Sequence, residues 1–422
     1  MKHKRTVLKN GMRIITVPMK DNPTVTVLVL VEAGSKYETK KLNGISHFLE
    51  HMCFKGTVKR PTALHIAHEL DGLGADYNAF TTEEYTGYYA KGEARYFPKL
   101  LDVVSDIYQN STFPEKEIEK EKGVIVEEIN MYEDMPARDV QQVFTSLLYG
   151  DQPAGWSVAG TKENVKSFKR EDFINYKDAH YVASATTIVV AGNISHVEAL
   201  NQIKSQFKTI PGGKKTGKKK VSDSQTKPSL AIKYKKTDQA HVVLGVRTYP
   251  IAHKDIPTLV ILSTLLGGSM SSRLFQKLRE DMGVAYYVRA NNETHSDHGF
   301  FEIAAGIDKN RVVEVMQVVL AECRKLQSEP VAHVELKKVK DYLIGTIKLG
   351  LETSDAIAQW YGGQEVMHRP LLSADMVAKK FAKVTVRDIQ KVATNIFSSS
   401  HLNLAIVGPY TDSSPYKQEL RF

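Results

Sequence analysis

Apolar residues follow two different periods along the chain, and these periods predict strands and helices in alternating blocks. Runs such as "TVTVLVLVEAG" and "TTIVVAG" combine strand length with β-branched residues, which favours buried strands. We expect strands near 5–18, 24–33, 186–192, 241–248, 284–292, 300–307 and 402–407, with a turn at Asn10-Gly11 and a hairpin over 75–91. The helical period predicts helices near 43–55, 61–73, 93–109, 114–135, 138–149, 170–182, 255–266 and 271–280, with more from 309 onward.

The order of these elements repeats once along the chain. Each half ends in a capped helix followed by an apolar strand that stops at glycine. The matched positions are Asp172 with Asp388, Gly192 with Gly408, and Gly74 with Gly283. Chance similarity between α/β segments is the alternative, since the identities are sparse. The pattern predicts an α+β protein of two homologous domains, 1–210 and 229–422, each an antiparallel-rich mixed sheet covered by helices.

A basic segment, "PGGKKTGKKKVSDSQTKP", separates the two halves at residues 211–228. Its glycine, proline and lysine content is typical of a solvated, flexible linker. The chain has a formal net charge of +9, which raises the alternative of a nucleic-acid patch. No aromatic residues are interleaved with these lysines to stack on bases, so we predict a linker and no nucleic-acid partner.

Composition narrows the class of protein further. With 422 residues, 42% hydrophobic and 25% charged, the chain can bury large cores. No apolar run reaches the ~18 residues that span a bilayer, and the basic start lacks an apolar signal region, so we expect a cytosolic protein without a membrane partner. The two cysteines, Cys53 and Cys323, are too few for a disulfide framework or a thiolate zinc site.

The stretch "GISHFLEHMCFKGT" places two histidines four residues apart on a predicted helix. His47 and His51 then share a face and present two imidazoles to one ion, with Glu50 beside them to take a proton from water. The alternative is a surface helix with two unrelated histidines. The interleaved apolar residues indicate a well-packed helix, where idle histidines are less expected.

A catalytic zinc site commonly has three protein ligands, so one more ligand is needed. The predicted helix "EKEKGVIVEEINMYED" offers Glu121, Glu127 and Glu128. Glu121 and Glu128 are two turns apart and lie on one face, whereas Glu127 points elsewhere. A solvated acidic helix without metal is the alternative.

These motifs together resemble the pitrilysin/insulinase family of inverted-motif zinc peptidases. The resemblance covers nearly the whole chain and is strongest to short bacterial members related to the mitochondrial processing peptidase β-subunit. It implies one Zn²⁺ per chain held by His47, His51 and Glu128, with Glu50 as the base that activates water. Glu121 then supports the site without binding the metal.

The resemblance also implies residues that spacing alone does not single out. Arg279 and Tyr286, in "REDMGVAYYV", match a pair with which the second domain stabilises the oxyanion. Asn78 and Ala79 match substrate contacts on an edge strand. Phe80 departs from the family pattern, which commonly has a small residue there. Without the resemblance, Arg279 would be interpreted as an ordinary helix-end arginine, Tyr286 as an aromatic residue of a strand, and Asn78 as a polar residue at a strand end.

The implied function is a zinc-dependent endopeptidase that cleaves unfolded peptides inside a closed chamber. A homodimer is expected because both motifs lie in one chain, and a heterodimer with a partner lacking zinc is the alternative. A non-catalytic processing-peptidase-like subunit or scaffold is a second interpretation. A metal-dependent hydrolase of non-peptide substrates is a third.

Overall fold

A computed structural model describes residues 2–422, which form two compact units. Unit 1 comprises the chain up to Ile129 together with Ser157–Lys219 and Lys348–Ser373, and unit 2 comprises Asn130–Trp156, Lys220–Ile347 and Ala374–Phe422. Each half of the sequence therefore gives one segment to the unit built mainly from the other half. The boundaries 1–210 and 229–422 stay a prediction about the repeat.

Each unit is built on one sheet. The strands of unit 1 are β1 (Lys4–Val7), β2 (Arg13–Pro18), β3 (Thr24–Val31), β4 (Asp76–Thr81), β5 (Thr86–Glu93) and β6 (Thr186–Gly192), in the spatial order β1-β2-β6-β3-β5-β4. The strands of unit 2 are β7 (Ser229–Tyr234), β8 (Gln239–Thr248), β9 (Ala285–Thr294), β10 (Gly299–Asp308) and β11 (Asn403–Gly408), in the order β7-β11-β8-β10-β9. In both sheets one pair is parallel, β2 with β6 and β7 with β11, and the others are antiparallel. The two sheets thus share one topology, with β1 added in unit 1.

The helices are, in chain order, α1 (Ile45–Cys53), α2 (Ala63–Asp71), α3 (Phe97–Gln109), α4 (Glu115–Asp134), α5 (Pro136–Tyr149), α6 (Lys162–Ser167), α7 (Arg170–His180), α8 (His196–Gln206), α9 (Ile256–Gly267), α10 (Val312–Ser328), α11 (His333–Leu349), α12 (Ser354–Val366), α13 (Ala374–Lys383), α14 (Val386–Ile396) and α15 (Ser414–Glu419). Residues Phe275–Asp281 form a π-helix. Within residues 2–422, no helix is both long and apolar enough to cross a membrane.

Sheet 1 is buried on both faces. One face packs on α1, α3 and α7 and forms the larger core of unit 1. The other face is covered by α12 through Ile357 and Tyr361. A Cβ at Gly362 would lie 2.8 Å from Leu30 Cδ1, so a small residue lets α12 approach the strands closely. Double-sided burial explains why β3 and β6 read as continuous apolar runs.

Sheet 2 is covered in a similar way. Its larger core contains α9, α10 and α14, and α5 packs on the opposite face through Val140, Phe144 and Leu148. Helix α5 comes from the first half of the sequence, just as α12 comes from the second. Each unit therefore completes its core with a helix that the sequence places in the other half.

The repeat also appears at single residues. Gly74 and Gly283 precede β4 and β9, and both have left-handed backbone conformations, with φ of +62° and +61°. The acids Asp172 and Asp388 each accept a hydrogen bond from a backbone N–H just before their helix, at 2.8 Å. The matched positions therefore have the same structural role in the two halves of the sequence.

The turn predicted at Asn10-Gly11 is confirmed, because Gly11, with φ +87°, separates β1 from β2 and these two strands pair antiparallel. Other elements differ from the prediction. Helices α6 and α8 and strand β7 were not predicted, and a π-helix takes up much of the predicted helix 271–280. Residues 211–227 carry neither helix nor strand, and their flexibility stays a prediction.

Candidate metal centre

Helix α1 is fixed at its first turn by a buried carboxylate. Gly44, with φ +101°, starts the helix and offers no side-chain cap. Glu38 takes that role, because its carboxylate accepts hydrogen bonds from the N–H groups of Gly44 and Ser46, both at 2.8 Å, and from Asn43 Nδ2 at 3.0 Å. Phe48 and four other apolar residues of the helix are buried. This leaves the polar stripe of α1 in a fixed orientation.

The structure brings together three of the predicted site residues. His47 Nε2 and His51 Nε2 each lie 3.6 Å from Glu128 Oε2. The two imidazole rings are 4.7 Å apart in an edge-to-face arrangement. One ligand atom from each residue falls within 4.8 Å of the other two, and no other such group occurs among the residues that the structure describes. Glu127, one residue earlier on α4, is exposed.

This donor set fits a zinc ion. Atoms at ~2.0–2.1 Å from a tetrahedral Zn²⁺ lie ~3.3–3.4 Å from one another, close to the two 3.6 Å separations here. Two imidazole nitrogens and one carboxylate oxygen form a ligand set that zinc enzymes use. Such a set leaves a fourth position for water or substrate. His47, His51 and Glu128 are therefore the residues that could hold the metal.

The two imidazoles differ in their affinity for protons. Burial, together with the neighbouring His51, lowers the pKa of His47 to about 4. Burial also opposes a charge on His51, but the hydrogen bond to Glu121 and the charges of Glu50 and Glu128 raise its pKa above the ordinary value. At neutral pH His47 is thus uncharged, which is the form that binds metal, whereas at His51 a proton competes with a metal ion.

A second layer of contacts orients His51. Its Nδ1 lies 2.9 Å from Glu121 Oε1, and Glu121 Oε2 lies 2.6 Å from Lys55 Nζ. Burial favours a neutral Glu121, but the hydrogen bonds from His51 and Lys55 lower its pKa below the ordinary value. A carboxylate behind a histidine fixes the ring and leaves the other nitrogen for a metal. By contrast, the buried Nδ1 of His47 has no hydrogen-bond partner within residues 2–422.

Glu50 lies beside the three-residue group and is held separately. Its Oε2 accepts a hydrogen bond of 2.5 Å from the hydroxyl of Thr81, the last residue of β4. Burial raises the pKa of Glu50, and the Thr81 hydrogen bond opposes that rise. Glu50 is therefore a mostly buried carboxyl group with one fixed oxygen, close to His51 and Glu128.

Sequence reasoning missed Lys55 and Thr81. Lys55 follows His51 by four residues, and the spacing of a cation one turn after the motif was a usable signal. Thr81 gave no such signal, because its contact with Glu50 depends on how the β4–β5 hairpin folds against α1.

Arg279 and Tyr286 lie together in unit 2. Arg279 belongs to the π-helix, donates a hydrogen bond to the Tyr286 carbonyl oxygen, and lies over the Tyr286 ring at 5.6 Å. The Tyr286 side chain is 69% exposed. The structure thus pairs these two residues with each other, and their part in catalysis stays a prediction.

Asn78 and Ala79 lie on β4, which is an edge strand of sheet 1. Asn78 is exposed, and its Oδ1 accepts a hydrogen bond from the Ala79 N–H. The ring of Phe80 covers Gly87 on β5, where a Cβ would lie 2.4 Å from Phe80 Cζ. The large residue at 80 is thus matched by a glycine across the strand pair. Substrate contacts on β4 stay a prediction.

Comparison with known proteins supports the same family for the whole chain. The family described as "Insulinase (Peptidase family M16)" matches residues 13–162, and the one described as "Peptidase M16 inactive domain" matches residues 167–343. A protein of Bacillus subtilis named an uncharacterized zinc protease is 35% identical over 96% of this chain and 98% of its own length. One of Streptomyces coelicolor with the same kind of name is 32% identical over 97% of this chain and 90% of its own length.

A solved structure shows that the fold is shared as well. The crystal structure of a protease from Helicobacter pylori superposes with a TM-score of 0.92 at 23% identity, covering 97% of this chain and 99% of that one. The fold, the family matches and the near full-length similarity to two proteins named zinc proteases agree. The chain belongs to the pitrilysin/insulinase family of metallopeptidases, peptidase family M16.

Proposed function

We propose that this protein is a zinc-dependent endopeptidase with Glu50 as its general base. The observation that carries the proposal is the convergence of His47 Nε2, His51 Nε2 and Glu128 Oε2. The names of the relatives as zinc proteases support zinc as the metal. Imidazole and carboxylate ligands alone would also suit other divalent metals.

His47, His51 and Glu128 would hold the ion, and Glu50 would handle protons. When bound, Zn²⁺ supplies Lewis acidity that polarises a carbonyl group and makes water more acidic. Glu50 accepts the proton of the attacking water and delivers it to the nitrogen of the leaving amine. Burial raises the pKa of Glu50, which favours its holding that proton between the two steps. Glu121 and Lys55 keep the His51 ring in place.

Several finer features of this proposal rest on the resemblance to the family. Arg279 and Tyr286 stabilise the oxyanion, and Asn78 and Ala79 contact an extended peptide along β4. The substrates are unfolded peptides that enter a closed chamber formed by a homodimer. The exposed edge of β4 supports peptide pairing, because an unpaired strand edge offers backbone hydrogen bonds to many sequences.

The test is cleavage of a peptide library by the purified protein, read by mass spectrometry. We expect wild type to cleave, 1,10-phenanthroline to stop cleavage, and added zinc to restore it. Glu50→Gln should keep zinc and lose activity by ~10²–10⁴-fold, the usual contribution of a general base. Glu127→Gln is the matched control, because Glu127 is exposed on α4, and it should cleave normally. Cleavage by Glu50→Gln at the wild-type rate would refute the assignment.

A non-catalytic subunit is the second candidate. The family description of residues 167–343 as an inactive domain is the observation that keeps it open. That reading predicts no cleavage by zinc-loaded wild-type protein, whatever the peptide.

A further inference from the structure

The turn that follows Thr81 is held by contacts within it and by contacts from a neighbouring loop. Within the turn, Thr82 N–H and Thr82 Oγ1 both donate to the Tyr85 carbonyl oxygen at 2.9 Å. From outside, the Lys36 N–H donates to the Glu83 carbonyl oxygen at 2.8 Å. A Cβ at Gly34 would lie 2.3 Å from Thr82 O, so the neighbouring loop passes directly against the turn. The turn therefore cannot shift without breaking several contacts.

A buried ion cluster adds to this anchoring. Glu84, 3% exposed, lies in the turn and pairs with Lys36 Nζ at 3.2 Å and with Lys218 Nζ at 2.5 Å. Lys36 is itself 1% exposed, so the pair is shielded from solvent. Lys218 belongs to the basic segment predicted to be a linker. The segment thus ties down the turn that carries Thr81.

Thr81 connects this rigid turn to Glu50. It is the last residue of β4, pairs across the ladder with Thr86, and its Oγ1 lies 2.5 Å from Glu50 Oε2. Thr86 Oγ1 donates to the Ala33 carbonyl oxygen at 2.9 Å and lies 3.4 Å from Thr81 Oγ1. These contacts leave the Thr81 hydrogen directed toward Glu50.

A hydroxyl suits both states of a carboxyl group that takes up and releases a proton. It can keep donating its hydrogen bond to Oε2 whether the carboxyl group is ionised or carries a proton on Oε1. Because Thr81 occupies Oε2, the other oxygen, Oε1, is the one that accepts the proton from water. A fixed carboxyl group transfers protons in the geometry that the reaction needs.

We propose that Thr81 is a positioning residue that holds Glu50 in its reactive orientation, with the anchored β4–β5 turn as its support. This inference rests on the proposed function, since it assigns Thr81 a part in that reaction. It requires Thr81 to act on turnover and not on substrate affinity or metal content. A hydroxyl without its methyl group should suffice.

The experiment compares Thr81→Val, which keeps the shape and removes the hydroxyl, with Thr81→Ser, which keeps the hydroxyl. We expect Thr81→Val to lower kcat by ~10–100-fold, as for loss of a hydrogen bond to a charged group, with KM and zinc content near wild type. Thr81→Ser should restore kcat to within ~3-fold. Thr187→Val is the matched control, because Thr187 is a buried strand residue of the same unit whose hydroxyl has no partner within residues 2–422.

A wild-type kcat in Thr81→Val would overturn the inference while leaving the proposed function intact. Loss of zinc in Thr81→Val, or failure of Thr81→Ser to recover, would also overturn it by showing a general structural role. Crystal structures supply a readout that does not depend on activity. Glu50 should occupy one conformer in wild type and leave it in Thr81→Val; an unmoved Glu50 would refute the inference, whereas absence of cleavage by wild type would refute the proposed function.

Discussion

The first α-helix after strand β3 of unit 1 differs sharply from the first α-helix after the equivalent strand β8 of unit 2, although the two sheets share one strand order. In unit 1 that helix is α1, which combines a buried apolar face with His47, Glu50 and His51. In unit 2 it is α9, "IPTLVILSTLLG", whose residues from Thr258 to Gly267 are almost all buried and include no histidine or acid. The same position in the topology thus carries the candidate metal centre in one unit and only core packing in the other.

The contrast separates what the fold needs from what the site needs. The two units have the same order of strands although α1 carries two histidines and an acid and α9 carries neither. The polar stripe of α1 is therefore not required for the architecture. Buried histidines and acids cost free energy unless they are paired or bound to metal. The grouping of two histidines and an acid on the polar stripe of α1 therefore points to function.

The largest expected effect comes from making α1 resemble α9. We expect the double variant His47→Leu/His51→Leu to fold, to bind no zinc, and to lose peptide cleavage by more than ~10³-fold. Metal analysis, circular dichroism and the peptide assay measure the three quantities. The control is His68→Leu, because His68 is exposed on α2. Zinc bound at one equivalent by the double variant would contradict the assignment of the ligands.

The helices that complete the two cores should matter to their own unit. Phe144→Ala on α5 should lower the free energy of unfolding by about 3–5 kcal/mol, and Ile357→Ala on α12 by about 2–5 kcal/mol. Hydrogen exchange should show the loss of protection in β8 and β11 for the first variant, and in β3 and β6 for the second. Gln359→Ala on the exposed side of α12 should have little effect. Equal loss of protection in both sheets would argue against this division.

Two buried carboxylates set up a further contrast between the units. Glu32 in unit 1 contacts Arg13 at 2.6 Å, Lys215 at 2.8 Å and His368 at 3.0 Å. Burial favours its neutral form, but these partners lower its pKa to about 2. Glu302 in unit 2 accepts a hydrogen bond from Asn291 Nδ2 at 3.4 Å, but burial raises its pKa to about 7.

These opposite shifts predict opposite effects of pH. Glu32→Gln should destabilise by about 2–3 kcal/mol at pH 7, and the difference should shrink as pH falls from 4.5 to 2, because the unfolded carboxylate takes up a proton in this range while the native one stays ionised. Glu302→Gln should stabilise by about 1–3 kcal/mol at pH 8, with no difference below pH 4.5, because between pH 4.5 and 7 the unfolded carboxyl group ionises while the buried native one stays protonated. Urea unfolding across pH measures both. A Glu302→Gln variant that is less stable than wild type at pH 8 would contradict this account.

The smallest expected effect concerns the support behind His51. Glu121→Gln removes the charge that Glu121 directs at the His51 ring, and we expect zinc to bind ~10–100-fold more weakly. Competition with a zinc chelator measures the change. Glu127→Gln on the same helix is again the control. Unchanged affinity in Glu121→Gln would show that Lys55 and the packing of α1 orient the ring without this carboxylate.

Periodicity was enough to predict most of the strands and the repeat. It failed to predict how α5 and α12 are used. Apolar residues are present on both helices in the sequence, but an apolar helix face does not indicate which of the two sheets it packs against. The short helix α6 and the strand β7 lack a strong period, so they were missed.

The site shows the same limit. The spacing of His47 and His51 and of Glu121 and Glu128 follows from helix geometry, so these residues could be placed from sequence. Thr81 and Lys218 make contacts that join distant parts of the chain, and no local pattern contains them. The basic segment looked like a solvated connector, because lysine runs usually are, but Lys215 and Lys218 reach buried carboxylates.

The exchange of α5 and α12 has a consequence for how the gene could be divided. A break near residue 220 would give two fragments, each lacking the helix that seals one side of its own sheet. Both fragments would expose a large apolar surface and would tend to aggregate when produced alone. Made together, each carries the missing cover for the other, so a working split version requires that both pieces be synthesised in the same cell.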